Sequence, residues 1–152
     1  MNKIINSLDI KKIAWLGAGA IFFMFDRYLK SIAIKEHSHF KIIGDWLIFN
    51  FVPNRNIAFS LPINGSGLNI IICLIIIGII LYLLLAKSNN LEKISFFIIL
   101  LGAISNLIDR LQYSYVIDYL DLKWFTIFNL ADVLISFGTI LLIYSLLKKS
   151  HD

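Results

Sequence analysis

Cysteine is almost absent from this 152-residue chain: Cys73 stands alone inside an apolar run, which excludes a disulfide-stapled secreted scaffold. Charge is scarce too, at 16% of residues. The Lys and Arg residues are scattered rather than gathered into an arm or stripe, so a formal net charge of +4 does not mark a nucleic-acid binder. No long disordered tail, internal repeat or low-complexity segment occurs beyond runs of isoleucine and leucine. What the chain has in excess is apolar side chains. They make up 59% of it, against about 45–50% in a soluble domain. They also lie in blocks of about 20, the length a helix needs to cross hydrocarbon. Four such blocks leave little room for a separate soluble domain, and residues 1–152 are read as a single membrane-embedded domain.

The spans are expected at about 13–33, 68–86, 94–108 and 127–147. The first begins IAWLGAGAIFFMF and then meets Asp26, Arg27 and Lys30, where a cleaved signal peptide would carry small residues, so it is read as a retained helix. Ile70–Ala86 holds no charge over 17 positions, about 26 Å of helix at 1.5 Å per residue. The third block ends in Asn106, Asp109 and Arg110; the fourth carries Asn129 and Asp132 in its first two turns. An even number of spans puts both termini on one side. Seven Lys and Arg lie there, at positions 3, 11, 12, 87, 93, 148 and 149, against four opposite once Arg27, Lys30 and Arg110 are set aside as helix-associated. The positive-inside bias then places the termini in the cytoplasm.

The two longer connections, 35–67 and 111–126, contain WLIFNFV and YSYVIDYLDLKWF, rich in aromatic and β-branched residues, with Pro53, Pro62 and Gly65 punctuating the first. They predict a small extended or β element at the outer, periplasmic face, with Trp46, Tyr113, Tyr115 and Trp124 at headgroup level. The expected fold class is therefore an all-α membrane protein of four transmembrane helices with this element added.

A charge at the bilayer centre costs at least about 2.5–3.5 kcal/mol, so polar groups in the spans need a reason. Asp26 and Lys30 share a helix face at spacing four, Asn106 shares one with Asp109 and Arg110, and Asn129 shares one with Asp132. With alternating helix directions, all three clusters fall in one layer near the outer face. Asp118 precedes Asp132 by 14 residues, and a return loop can bring the two together. At about 4 Å and an effective dielectric near 20 their repulsion is about 4 kcal/mol, roughly three pKa units, so one should keep a proton at neutral pH. Such a pair has one acid and one base, as an aspartic protease requires.

The stretches DRYLK, FVPNRNIAFS, GAISNLIDRL, VIDY and FNLAD, in this order and at these places, resemble those of the lipoprotein signal peptidase (signal peptidase II) family, over almost the whole chain. The resemblance implies an inner-membrane aspartic endopeptidase that cuts diacylglyceryl-modified prolipoproteins just before the lipidated cysteine. It implies no metal or other cofactor. Asp118 and Asp132 would be the catalytic pair; Asp26, Lys30, Asn54, Asn106, Asp109, Arg110 and Asn129 match the supporting polar residues. Partners would be the lipidated prolipoprotein and membrane lipid, with the enzyme acting as a monomer. Asn56, Ile57, Leu101 and Ser105 depart from the family's small residues.

Two other classes fit acids in a membrane: a small carrier or proton pathway, and an assembly subunit whose polar residues glue helices together. Polar residues through the full depth would mark a pathway, whereas the second span and the inner half of the fourth are bare. His37 and His39 form an HxH with no evident third ligand, Cys73 reads as packed or lipid-facing, and Ser31 beside Lys30 points about 100° away from it.

Overall fold

A computed structural model describes residues 7–36, 39–55 and 66–149. In chain order these form α1 (Ser7–Glu36), β1 (His39–Ile43), β2 (Leu47–Asn54), α2 (Ser66–Leu85), α3 (Asn90–Tyr113), β3 (Val116–Leu122), β4 (Ile127–Phe128) and α4 (Leu130–Lys149). The four strands make one antiparallel sheet in sequence order. Gly44, at φ +49°, turns β1 into β2, and Val52 lies opposite Asp118 in the β2–β3 register.

Among the described residues, three helical stretches, 67–85, 90–113 and 130–149, are long and apolar enough to cross a membrane. Large apolar side chains such as Leu74, Leu84, Ile140 and Leu147 stay more than half exposed on them, a surface matched to hydrocarbon rather than to water. The helix over 30 residues of α1 would reach about 45 Å, but Asp26, Arg27 and Lys30 interrupt its apolar run.

Where the helices begin and end follows from capping. Asn89 accepts from the Glu92 backbone N–H at 2.8 Å, so α3 starts four residues before the expected span; Ser114, left-handed at φ 65°, closes it by donating its N–H to Arg110 O. Ile127 and Phe128, expected inside the last span, instead pair with Asp121 and Leu120 as β4, and α4 begins after Asn129. Apolar composition alone does not distinguish a short buried strand from a helix start.

Glycine sets the approach of α3 to α4. A Cβ on Gly102 would lie 2.4 Å from Ala131 O and 2.8 Å from Ile135 Cγ1; one on Gly138 would lie 2.7 Å from Ile99 Cγ1 and 2.9 Å from Ser95 O. Backbones this close bring Asn106, one turn beyond Gly102, level with Asp132, one residue beyond Ala131. Gly102→Ala is therefore expected to cost about 1–3 kcal/mol by overpacking and to lower Tm, because the atom it strikes belongs to the turn carrying Asp132. Thermal unfolding in detergent checks this.

Two apolar clusters lie on either side of the polar layer: Ala33, Phe49, Ile117 and Tyr119 beneath the sheet, and Ile94, Ile98 and Leu134 between α3 and α4.

Candidate active site

β3 delivers Asp118 and the first turn of α4 delivers Asp132; Asn129, just before that helix, holds both. Its side-chain oxygen accepts the Asp132 N–H at 3.0 Å, and its own N–H donates to Asp132 Oδ2 at 3.2 Å, a reciprocal N-terminal cap. With the oxygen committed, the amide nitrogen must face the other way, and it donates to Asp118 Oδ1 at 2.7 Å. Asn54, at the end of β2, donates to Asp118 Oδ2 at 2.8 Å. Asp118 and Asn129 are buried; Asp132 is partly open.

A second amide orients Asp132. Asn106 on α3 donates to Asp132 Oδ1 at 2.8 Å, and its oxygen accepts from Lys30 Nζ at 2.8 Å. An ammonium only donates, so this contact fixes the amide's direction. Lys30 also meets Asp109 Oδ2 at 2.7 Å and Asp26 Oδ2 at 3.1 Å, the helical pair expected from spacing four. Asp109 accepts in addition from Arg27 and from the Ile117 backbone N–H at 3.3 Å, so it locks α1 and α3 to the strand residue preceding Asp118. All of Asp26, Lys30 and Asp109 are fully buried. Buried charges at this density are stable only when each is paired and hydrogen-bonded, as each is here.

The start of α4 needs no water. Asn129 N–H donates to Asp132 Oδ2, Leu130 N–H to Tyr119 Oη at 3.1 Å, Ala131 N–H to Asp26 Oδ1 at 3.2 Å and Asp132 N–H to Asn129 Oδ1, after which Val133 N–H makes the first helical bond, to Asn129 O at 3.4 Å. The four N–H groups that a helix leaves unpaired at its N-terminus are thus all satisfied, a requirement where surroundings are apolar.

Burial pushes the Asp118 carboxyl up to about 7, with the Asp132 charge as second cause; the bonds from Asn54 and Asn129 and the charge of Lys30 pull the other way. The size matches the rise expected from repulsion, but desolvation is the larger cause. Tyr119 is pushed upward by burial and by Asp26, so its hydroxyl keeps its proton throughout the working range.

Of the nine residues singled out from the sequence, eight meet in this network. Arg110 stands at its edge: the guanidinium donates to Asn106 O at 3.4 Å and lines an open cavity of about 300 Å³ with Arg55, Asn69 and Ser114. Asp109 pairs with Arg27 and Lys30. His39 lies on exposed β1, its ring against Asn50; His37, Asn56 and Ile57 lie outside the described residues. Leu101 packs close to Gly19, where a Cβ would come within 3.0 Å. Arg27, Ser105 and Tyr119 are participants that sequence reasoning did not place in the site. Ser105 is fully buried and donates to Asp26 Oδ2 at 2.6 Å.

A model of the family described as signal peptidase (SPase) II matches residues 18–148. A lipoprotein signal peptidase of Clostridium tetani is 40% identical over 136 residues, 83% of this chain and 87% of its own. One of Caldicellulosiruptor bescii is 37% identical over 132 residues, 86% of this chain and 88% of its own. Among solved structures, a bacterial membrane enzyme determined in meso at 2.3 Å resolution aligns with TM-score 0.80 and 25% identity, covering 92% of this chain and 89% of that one.

Proposed function

The chain belongs to the signal peptidase II family, and we infer from that premise that Asp118 and Asp132 are the catalytic pair with which it removes signal peptides from prolipoproteins. It is a membrane protease. The observation that carries the pair's assignment is that one residue, Asn129, holds both carboxylates, that of Asp118 through its side-chain amide and that of Asp132 through its backbone N–H.

The pair shares one proton, with Asp118 as the acid and Asp132 as the base. Asp132 takes a proton from a water as its oxygen attacks the scissile carbonyl carbon, while Asp118 protonates the carbonyl oxygen. On collapse the C–N bond breaks, the leaving nitrogen takes the proton from Asp132, and a hydroxyl proton of the intermediate returns to Asp118. Asn106 and Asn129 keep the carboxylates in place through the cycle, and Arg110 at the rim of the open cavity is suited to hold a peptide carbonyl.

The substrate is a diacylglyceryl-modified prolipoprotein, cut before its lipidated cysteine. Its apolar signal helix runs beside α2 and α4, whose large side chains face outward, and its lipid chains stay in the bilayer. α1 serves as a fourth span beside the three longer apolar stretches, its charges neutralised by α3. The sheet lies at the outer face of the bacterial inner membrane, both termini are cytoplasmic, residues 1–152 act as one domain, and the enzyme works as a monomer with no cofactor. The lysines that end α4, Lys148 and Lys149, support that orientation.

Purified protein in detergent is expected to shorten a diacylglyceryl prolipoprotein on a gel and to cut the unlipidated precursor poorly, since binding energy from the lipid positions the bond. The rate should fall as pH rises through about 7, because the acid form of Asp118 is then lost. No cleavage of any lipidated precursor, or an alkaline limb several units higher, would overturn this reading.

A further inference from the structure

We propose that Tyr119 is a positioning residue for the peptidase reaction: its hydroxyl joins the strand that carries Asp118 to the helix turn that carries Asp132, and so sets the separation of the two carboxylates. This rests on the reading of those two residues as the catalytic pair.

Tyr119 follows Asp118 directly and is fully buried, its ring 5.3 Å from that of Phe49 between centroids. The hydroxyl donates to Asp26 Oδ1 at 2.8 Å. A carboxylate can only accept, so the single hydroxyl proton is committed and the lone pairs are what meet Leu130 N–H, at 3.1 Å. Leu130 precedes Asp132 by two residues in the same turn. The link from one carboxylate to the other therefore runs through a strand step, an aromatic ring and half a helical turn, none of which stretches. Asp26 stiffens it: Oδ1 also accepts from Ala131 N–H at 3.2 Å, while Oδ2 accepts from Ser105 Oγ at 2.6 Å and faces Lys30 at 3.1 Å.

Asn129 also bridges the pair, but through a side chain with rotatable bonds. Without the tyrosine link the turn can draw away from β3. Repulsion between two charges falls with their separation, so a wider pair holds its shared proton less tightly. The acid form is then lost at lower pH, and attack and protonation fall out of step.

Tyr119→Phe keeps the ring and removes one oxygen. It is expected to lower kcat by about 10- to 100-fold, leave KM for a lipidated precursor within about twofold, and move the alkaline limb about half a pH unit downward. Leu130→Pro cuts the same link from its other end, since proline is tolerated at the first helical position but has no N–H to donate. It should move the limb in the same direction, and the double variant should move it no further than either single change. Ser105→Ala removes a different donor from Asp26 and should lower Tm while leaving the limb in place. A Tyr119→Phe enzyme with lowered Tm but parental kcat and limb would make Tyr119 merely structural. A limb moved as far by Ser105→Ala would assign the effect to the Asp26 charge. Cleavage that survives Asp132→Asn would sink the catalytic pair itself, a result separate from either of these.

Discussion

Asp132→Asn is expected to reduce kcat on a lipidated precursor by about 10³-fold or more, and Asp118→Asn to do the same, with the double variant little worse than either. The two groups act as a unit, so removing one already removes the reaction. The variants differ in what else they disturb. Both oxygens of Asp132 accept from donors, Asn106 Nδ2 and the Asn129 N–H, so an asparagine there must turn its NH₂ against one of them. Neither donor can turn away, because Asn106 is fixed by Lys30 and the other is backbone. Asp132→Asn should therefore also lower Tm. In Asp118→Asn the new side chain can keep its oxygen on Asn129 Nδ2, and its NH₂ then faces the amide of Asn54, a side chain that can turn where a backbone N–H cannot, so the main loss is the ability to donate a proton. Single-turnover cleavage followed on gels, with melting curves of the same preparations, separates these effects; full activity in either single variant rejects the pair.

Lys30→Met is expected to be the most damaging substitution for folding, at about 3–5 kcal/mol, which is about 10 °C or more in Tm. The methionine fills much the same volume but leaves Asp26 and Asp109, both fully buried, without their shared cation. Asp109 keeps Arg27, and Asp26 keeps only neutral donors among the bonds described above. Activity should fall with stability, because Asn106 loses the contact that fixes its amide and can rotate its NH₂ away from Asp132. Lys30→Arg should not restore function, since a planar guanidinium cannot direct three donors from one point at Asp26, Asn106 and Asp109. Thermal unfolding and cleavage rates for both variants test this; an Arg variant of parental stability would show that charge alone suffices.

How much of this was readable in the chain depended on what each residue answers to. The long helices were legible because apolar length is a property of the residues themselves, and α2 lies within two residues of its expected bounds. The gathering of Asp26, Asn106 and Asp132 into one layer followed from alternating helix direction. The start of α4 was not legible, because Ile127 and Phe128 are apolar in either structure and only pairing with β3 makes them a strand. Arg27 lies three residues from Lys30 and Ser105 four from Asp109, so helical spacing alone could have placed both beside the site. For Tyr119 no such signal existed. Its role depends on a strand residue reaching across to another helix's first turn, and tertiary contacts of that kind leave no period in the sequence.

The convergence on Lys30 and Asp26 also bears on how the molecule comes to exist. Asp109 follows Arg27 by 82 residues, Tyr119 follows Asp26 by 93, and Ala131 follows it by 105. At about 5–20 residues per second, a ribosome takes roughly 5–20 s to make those partners after α1 has emerged. With α1 as the proposed fourth span, Asp26 and Lys30 have each other through that interval and Arg27 has no counter-charge from α3, at an insertion cost of about 2.5–3.5 kcal/mol for each charge left in hydrocarbon. The helix made first is therefore secured last, when the final turn of the site is delivered by α4.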